Sequence, residues 1–560
     1  MSAKTEQAGR RSRPGYNPLV LVVLVSLWLA LVCNWPLWRA LAALPEMASA
    51  RGTVFIAGSA LAVAALLAAL LSLFAWRGLI KPVASVLLLM AAAGAYFIDS
   101  YGIVIDPTMM VNVLQTDRHE ASDLLDLRWA GAMALLAGVP LLGLWFAPVR
   151  RLPWRGQLWR NALMIIGGLW LAGGLAVMGF AGLSSTLRNH KTLRYMVNPL
   201  NSVYALGRVA QRGGAKAVAP PPLPIGADAR MLARRADAKP PLLMLVIGET
   251  ARADHFGSNG YARATDAATA ALGLVSFSQV TSCGTSTAAS LPCMFSHLAR
   301  EDFVARDGNY QNLLDVLQQA GLAVLWLDNQ SGCKGLCDRV PHAFARDVPP
   351  GAEMPAGLCQ GDECFDVALL IGLDQRLAAL PAQRRERGVV LVLHQMGSHG
   401  PAYFKRSPPQ RKPFKPECTS TALQQCAPEA LVNAYDNSIA YTDHVLAQAV
   451  AWLSAQSQAY APMLLYVSDH GESLGENNLY LHGLPMSIAP RAQTHVPMLL
   501  WLPAPAEVAV GAATQCLRAQ HDRPLSHDHL FHTVLGLVHV GSSVYRSELD
   551  FVEACRLQRG

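Results

Sequence analysis

The run Met463-Leu464-Leu465-Tyr466-Val467-Ser468-Asp469-His470-Gly471-Glu472 decides the fold. A short, almost wholly apolar stretch ends abruptly in carboxylate and imidazole groups. A continuous apolar run of this length reads as a strand buried on both faces, and such strands belong to sheets covered by helices on either side. Leu242 to Ile247, Ala323 to Leu327, Val389 to Leu393 and Val496 to Leu502 have the same form, and Tyr310 to Ala320 and Leu431 to Leu453 carry helical patterns between them. The alternation predicts an α/β sandwich with a largely parallel sheet, occupying residues 241–560.

Ligands in such folds gather beyond the carboxyl ends of strands. The residues just past each run are Gly248-Glu249, Asp328-Asn329, His394 with His399 shortly after, and Asp469-His470-Gly471-Glu472. One acid at a strand end is ordinarily a helix cap or a solvated loop charge. Several acids and imidazoles meeting on one edge match the donor set that zinc takes. Between the first two positions lies Thr281-Ser282-Cys283-Gly284-Thr285-Ser286-Thr287-Ala288-Ala289-Ser290-Leu291-Pro292-Cys293, a hydroxyl-rich turn expected to open a short helix. Free amides at a helix N-terminus suit a phosphate. An ordinary Ser/Thr cap is the plain alternative, and the ligand pattern around the turn is what favours a site.

At 560 residues the chain calls for at least two packed units, and its hydrophobicity divides it. The net charge of +7 is not gathered into a basic stripe with interleaved aromatics, so a nucleic-acid partner is not expected. Ten of the eleven cysteines lie after residue 280, and eight fall into close couples: Cys283 with Cys293, Cys333 with Cys337, Cys359 with Cys364, and Cys418 with Cys426. None has the Cys-x-x-Cys spacing of a zinc knuckle, so disulfides in an oxidising compartment are expected. Cys516 and Cys555 are candidates for a fifth bridge, and Cys33, inside an apolar span, is expected to be a free thiol.

A bilayer core of about 30 Å takes about 20 apolar residues per helix. Five windows qualify: Pro18 to Trp38, Thr53 to Phe74, Pro82 to Ile98, Trp129 to Phe146 and Trp159 to Phe180. They predict a five-helix α-helical membrane domain over residues 1–182, its first span too long for a cleaved signal peptide. Lys4, Arg10, Arg11 and Arg13 precede span one, Arg77 and Lys81 separate spans two and three, and Arg150, Arg151 and Arg155 separate spans four and five. The positive-inside rule makes these loops and the N-terminus cytoplasmic. The loop 99–128 and everything after Phe180 then lie outside, where the cysteine couples require oxidation. In that loop Asp106-Pro107 marks a helix start, and Asn112, Thr116 and Glu120 follow at spacing four, which puts them on one helix face. A solvated polar face is the plain reading; a ridge that grips a lipid headgroup is the functional one. Residues 183–240 read as a bridge, with an amphipathic helix between His190 and Arg212 and a stiff linker at Ala219-Pro220-Pro221-Pro222-Leu223-Pro224.

Gly248-Glu249-Thr250-Ala251-Arg252-Ala253-Asp254, the run from Cys283 to Ser296, His399-Gly400-Pro401 and Ser468-Asp469-His470-Gly471-Glu472-Ser473 resemble the lipid A phosphoethanolamine transferases. This family includes the mobile colistin-resistance enzymes and belongs to the alkaline phosphatase and sulfatase superfamily. The likeness extends over essentially the whole chain. It implies a zinc ion held by Glu249, Asp469 and His470, with Thr287 as nucleophile and fourth ligand; Thr285 and Ser286 are its rivals nearby. It also implies that His399 and His482 line the phosphate site or take a second zinc, that Asn329 and Lys334 contact the donor headgroup, and that Asn112, Thr116 and Glu120 do so from the external loop. The expected reaction moves phosphoethanolamine from phosphatidylethanolamine to a phosphate of lipid A through a covalent threonine intermediate, releasing diacylglycerol. Less negative surface charge and polymyxin resistance would follow. The protein is expected to be a monomer in the bacterial inner membrane with a periplasmic catalytic domain. Transfer to a lipopolysaccharide core sugar and phosphoglycerol transfer on the same fold are the alternatives. A sulfatase is disfavoured because Thr287-Ala288-Ala289-Ser290-Leu291 lacks the Cys/Ser-x-Pro-x-Arg frame, and a non-catalytic sensor because the apparent ligand set is intact.

Overall fold

The computed structural model describes residues 15–116, 118–211, 221–234 and 238–556. Lys4, Arg10, Arg11, Arg13 and part of the proline-rich linker lie outside the described residues. The chain divides into two compact units: the first runs to Met110 and resumes over Leu125–Val209, and the second comprises Val111–Leu124 and Ala210–Gly560.

Among the described residues of the first unit, four helices are long and apolar enough to cross a membrane: Ala50–Ser72, Ile80–Tyr101, Leu127–Phe146 and Trp154–Met178. Pro18–Leu31 and Trp35–Ala42 form a pair bent by 44°, which brings the total to five if the pair is one span. Pro36 stands in the first turn of the second segment, where its ring and missing N–H break helical continuity. Asn34 fills the gap by donating from Nδ2 to the Leu29 carbonyl at 2.8 Å.

The second unit is built on a sheet of eight strands: β1 (Pro241–Gly248), β2 (Val275–Thr281), β3 (Ala323–Asp328), β4 (His342–Phe344), β5 (Val389–His394), β6 (Ala461–Ser468), β7 (His495–Trp501) and β8 (Leu525–Ser526). Their order across the sheet is β8-β2-β7-β6-β1-β5-β3-β4. All residues of β1, β3, β5 and β6 are buried, as expected of strands with helices over both faces. The helix Pro428–Ala455 supplies much of one cover, through Leu431, Ile439, Leu446 and Leu453.

β1 runs parallel to both β5 and β6, and β3 parallel to β5. β7, by contrast, is antiparallel to both β6 and β2. The reason lies in the connection. Residues 469–494 leave β6 at its carboxyl end, where the candidate ligands are, and β7 starts from that same edge without a crossover helix. β2 has no continuous apolar run: Val275, Phe277 and Val280 face the core while Ser276 and Ser278 are only half-buried.

The four expected disulfides are formed, as is Cys516–Cys555, and Cys33 is a buried free thiol. Asp106 accepts from the Met109 N–H at 2.8 Å and starts the helix Pro107–Gln115, as its position before proline predicts. That helix stops short of Thr116, and a second one spans Arg118–Leu124. Asn112, Thr116 and Glu120 therefore do not share one continuous helix face: Asn112 is on the first helix, Glu120 on the second, and Thr116 between them donates its hydroxyl to the Asn112 carbonyl at 2.9 Å. Asp123, at the end of this segment, pairs with Lys405 and lies 3.6 Å from Arg406.

Candidate active site

The register of three neighbouring strands places the site. Gly248 pairs with Ser468, and Ile247 with His394, so Glu249 and Asp469 each stand one residue past the end of adjacent parallel strands. Thr250, at φ 60°, turns the chain sharply after Glu249. Its N–H donates to Asp469 Oδ1 at 3.1 Å, and its hydroxyl to Glu249 Oε1. Gly397, at φ 53°, packs so closely that a Cβ there would stand 2.6 Å from the Glu249 carbonyl oxygen.

Glu249, Asp469 and His470 each offer a ligand atom within 4.8 Å of the others, and all three are fully buried. His470 Nε2 lies 3.3 Å from Glu249 Oε1 and 3.3 Å from Asp469 Oδ2. Neither Nε2 nor Asp469 Oδ2 has a hydrogen-bond partner. The other atom of each group is committed: Asp469 Oδ1 accepts from the Thr250 and His470 amides, and His470 Nδ1 lies 2.9 Å from the Gly471 carbonyl. A carbonyl only accepts, so Nδ1 carries the proton and Nε2 is the ring's available ligand atom. Unpartnered atoms this deep are costly unless a cation takes them.

The electrostatics agree. Burial raises the Glu249 carboxyl, but the facing His470 outweighs it and holds the group well below its ordinary value. Burial and the charge of Glu249 push Asp469 up to about 7. Burial lowers His470, yet Asp469 and Glu249 together drive it up to about 10. The cluster draws in positive charge. Two carboxylate oxygens, an imidazole nitrogen and a hydroxyl form a donor set that fits zinc. Among the described residues, the other group with metal-like spacing, Cys333, Cys337 and Asp338, does not fit, because both sulfurs are in a disulfide.

Thr287 is the first residue of the helix Thr287–Met294, and its Oγ1 donates to Glu249 Oε2 at 3.1 Å. Of its rivals, Thr285 turns away to donate to the Leu484 carbonyl at 2.7 Å; the Ser286 hydroxyl is buried without a partner. The His482 ring lies 4.3 Å from that of His470 and 5.8 Å from that of His399. Burial lifts the adjacent Glu472 carboxyl to about 8, 3.4 Å from His482 Nδ1. Asn329 spends its amide on the Cys364 carbonyl and Asp366, both at 2.8 Å, and Lys334 Nζ reaches Ser331 Oγ at 2.9 Å. His394 and Asp328 pair with each other at 3.0 Å, which makes them a brace between β5 and β3.

Two participants were not singled out in the sequence. Gln330 donates to Glu249 Oε2 at 2.7 Å; it directly follows Asn329, two residues past the end of β3. His527 follows the two-residue strand β8, which leaves no apolar signal. Its Nε2 lies 2.9 Å from the Ser468 carbonyl, and its Nδ1 accepts from the Cys283 amide at 3.1 Å and faces Ser290 Oγ at 3.3 Å. Ser290 in turn donates to the Asp469 carbonyl. His527 thus ties the Thr287 helix to the end of β6, and it does so as a neutral ring: burial lowers it to about 4.

Comparison with known proteins places the whole chain in a family. A profile described as "Sulfatase" matches residues 241–540, and one described as "Phosphoethanolamine transferase EptA/EptB" matches residues 63–213. The chain is 38% identical over 547 residues to phosphatidylethanolamine transferase Mcr-1 of Escherichia coli, covering 96% of this chain and 98% of the relative. It is 36% identical over 566 residues to phosphoethanolamine transferase EptA of Escherichia coli K12, covering 97% and 98%. Among solved structures, the integral membrane lipooligosaccharide phosphoethanolamine transferase A (EptA) of Neisseria meningitidis superposes with a TM-score of 0.89 at 32% identity, over 97% of this chain and 100% of that one. A sulfatase-type catalytic unit, an apolar helical N-terminal region and full-length identity to these enzymes together establish that the chain belongs to the phosphoethanolamine transferase family of EptA and Mcr.

Proposed function

We propose that this protein transfers phosphoethanolamine from phosphatidylethanolamine to a phosphate of lipid A, with Thr287 as the covalent nucleophile. The observation that carries the reading is the Thr287 hydroxyl bonded to Glu249, one of three buried groups whose ligand atoms converge within 4.8 Å. Glu249, Asp469 and His470 would hold zinc, with Thr287 Oγ1 as a fourth ligand. Zinc so held lowers the pKa of a bound hydroxyl and offsets charge on the phosphoryl group.

Glu249 orients Thr287 Oγ1 by accepting its hydrogen bond, and Gln330 fixes the same carboxylate oxygen from the other side. The Thr287 hydroxyl gives up its proton as its oxygen attacks phosphorus; the bond from phosphorus to the diacylglycerol oxygen breaks, and that oxygen takes up one proton as it leaves, so that none is gained or lost overall. His399 and His482 are the groups assigned to the phosphate oxygens and to this proton. A phosphate oxygen of lipid A then attacks the phosphorus of the phosphothreonine; the bond from phosphorus to Thr287 Oγ1 breaks, and that oxygen takes back a proton, which restores Thr287. Asn329, Lys334, Asn112, Thr116 and Glu120 are assigned to the donor headgroup.

The relative from Neisseria is by name a lipooligosaccharide transferase, which supports a lipid A-bearing glycolipid as acceptor. Residues 1–182 serve as a five-span anchor, 183–240 as a bridge and 241–560 as a periplasmic catalytic domain, with the N-terminus in the cytoplasm. Five disulfides support that orientation. Adding an amine to an anionic headgroup weakens the attraction of cationic peptides such as polymyxins. The test is mass spectrometry of the full chain incubated in micelles with headgroup-labelled phosphatidylethanolamine or phosphatidylglycerol. Label from phosphatidylethanolamine on the Thr287 peptide, absent in Thr287→Ala, is the expected result. Label from phosphatidylglycerol alone would overturn the donor assignment.

A further inference from the structure

The chain contains no Asp or Glu between Leu127 and Ala227, yet from Phe180 onward this stretch holds Arg188, Lys191, Arg194, Arg208, Arg212 and Lys216. On the proposed topology this segment lies outside the membrane, where the positive-inside rule disfavours such an excess. Orientation therefore gives no reason for these cations.

The structure gathers three of them. The helix Phe180–Asn189 and the single-turn helix Lys191–Tyr195 form an open groove of about 460 Å³, lined by Leu183, Ser184, Leu187, Arg188, Lys191 and Arg194. No carboxylate is among these lining residues. Glu46 comes near, but it pairs with His190 at 2.8 Å rather than with any of the three. Thr186 and Leu193 are buried and hold the segment down on its other side. The Arg194 guanidinium is already positioned, 4.9 Å over the Tyr195 ring with Nη2 at 3.3 Å from the Tyr195 hydroxyl. Three exposed cations with two leucines in the same wall match a ligand that is anionic at one end and apolar beside it.

We propose that this groove binds the phosphate-bearing headgroup of the anionic acceptor glycolipid. The inference rests on the transferase reading above and adds a place for the second substrate. It also supplies a basis for discrimination. Phosphatidylethanolamine is zwitterionic and carries no net charge, so a groove with three cations and no acid prefers the phosphorylated acceptor even where the donor is in large excess. Each cation close to an anionic lipid contributes about a fivefold factor in binding.

The experiment uses the full chain in nanodiscs of phosphatidylethanolamine with increasing fractions of lipid A, comparing wild type with Arg188→Gln/Lys191→Gln/Arg194→Gln. The first readout is single-turnover labelling of Thr287 from the donor, which is expected to match wild type within about twofold and reports that the variant is folded. The second is steady-state transfer to lipid A, where KM is expected to rise at least about tenfold with kcat little changed. An unchanged KM overturns the proposal. So does phosphatidylglycerol competing with the acceptor as strongly as added lipid A does, since the groove would then be a general contact for anionic lipid. Failure of wild type to label in the first assay sinks the transferase reading instead, and is separate from both outcomes.

Discussion

Acid should loosen this protein through His527. The imidazole lies near 4 in the folded chain against an ordinary 6.5, because burial disfavours its charged form. Between those values the unfolded chain binds a proton that the folded chain refuses, so stability is complete above about pH 6.5 and falls as the medium is acidified toward pH 4. The shift is worth about 1.4 kcal/mol per unit, and between pH 7 and pH 5 it amounts to about 2 kcal/mol. His527→Gln does not titrate. It loses the acceptor that takes the Cys283 amide and should be less stable at pH 7 by about 1–2 kcal/mol. The gap between wild type and variant should then close by about 2 kcal/mol at pH 5. Urea unfolding of the full chain in detergent micelles at the two pH values, followed by tryptophan fluorescence, measures that gap; other titrating groups cancel in the difference. A gap of equal size at both pH values would refute the reasoning, since it would mean that the ring is not held neutral.

Glu249→Gln and Asp469→Asn should each weaken zinc retention during dialysis against a graded chelator by more than about 100-fold, because each removes a charged ligand from a fully buried set; wild-type retention in either would dissolve the proposed centre. Gly397→Ala places a Cβ 2.6 Å from the Glu249 carbonyl oxygen at a φ of 53° and should cost about 3 kcal/mol, together with most of the transfer activity, measured by unfolding and by turnover. Opening Cys516–Cys555 by paired serine substitution should destabilise the chain by about 4 kcal/mol, against about 2 for Cys333–Cys337, because the first closes a separation of 39 residues and the second of 4; equal losses would assign the effect to native-state contacts.

The central strands and the buried groups at their ends were legible because a buried parallel strand needs a continuous apolar run and the candidate ligands follow it directly. Glu249, Asp469 and His470 were found in that way. The direction of β7 was not legible: its residues look like those of its parallel neighbours, and only the connection through 469–494 reverses it. β2 was missed because it alternates, and β8 because two residues carry no pattern; with β8 went His527, whose part depends on contacts with Cys283, Ser290 and Ser468 far away in sequence. The spacing of Asn112, Thr116 and Glu120 suggested one helix, but spacing alone does not reveal the break at Thr116.

The position of β1 between β5 and β6 affects when the protein becomes an enzyme. β1 is the first strand of the sheet to leave the ribosome, and it carries Glu249; Asp469 and His470 arrive only with β6, after most of the domain has been made. No piece of chain that ends before β6 holds all three converging groups. On the proposed site, a nascent or truncated protein that ends before β6 has Thr287 and Glu249 but neither Asp469 nor His470, and so lacks two of the three groups that converge beyond the sheet.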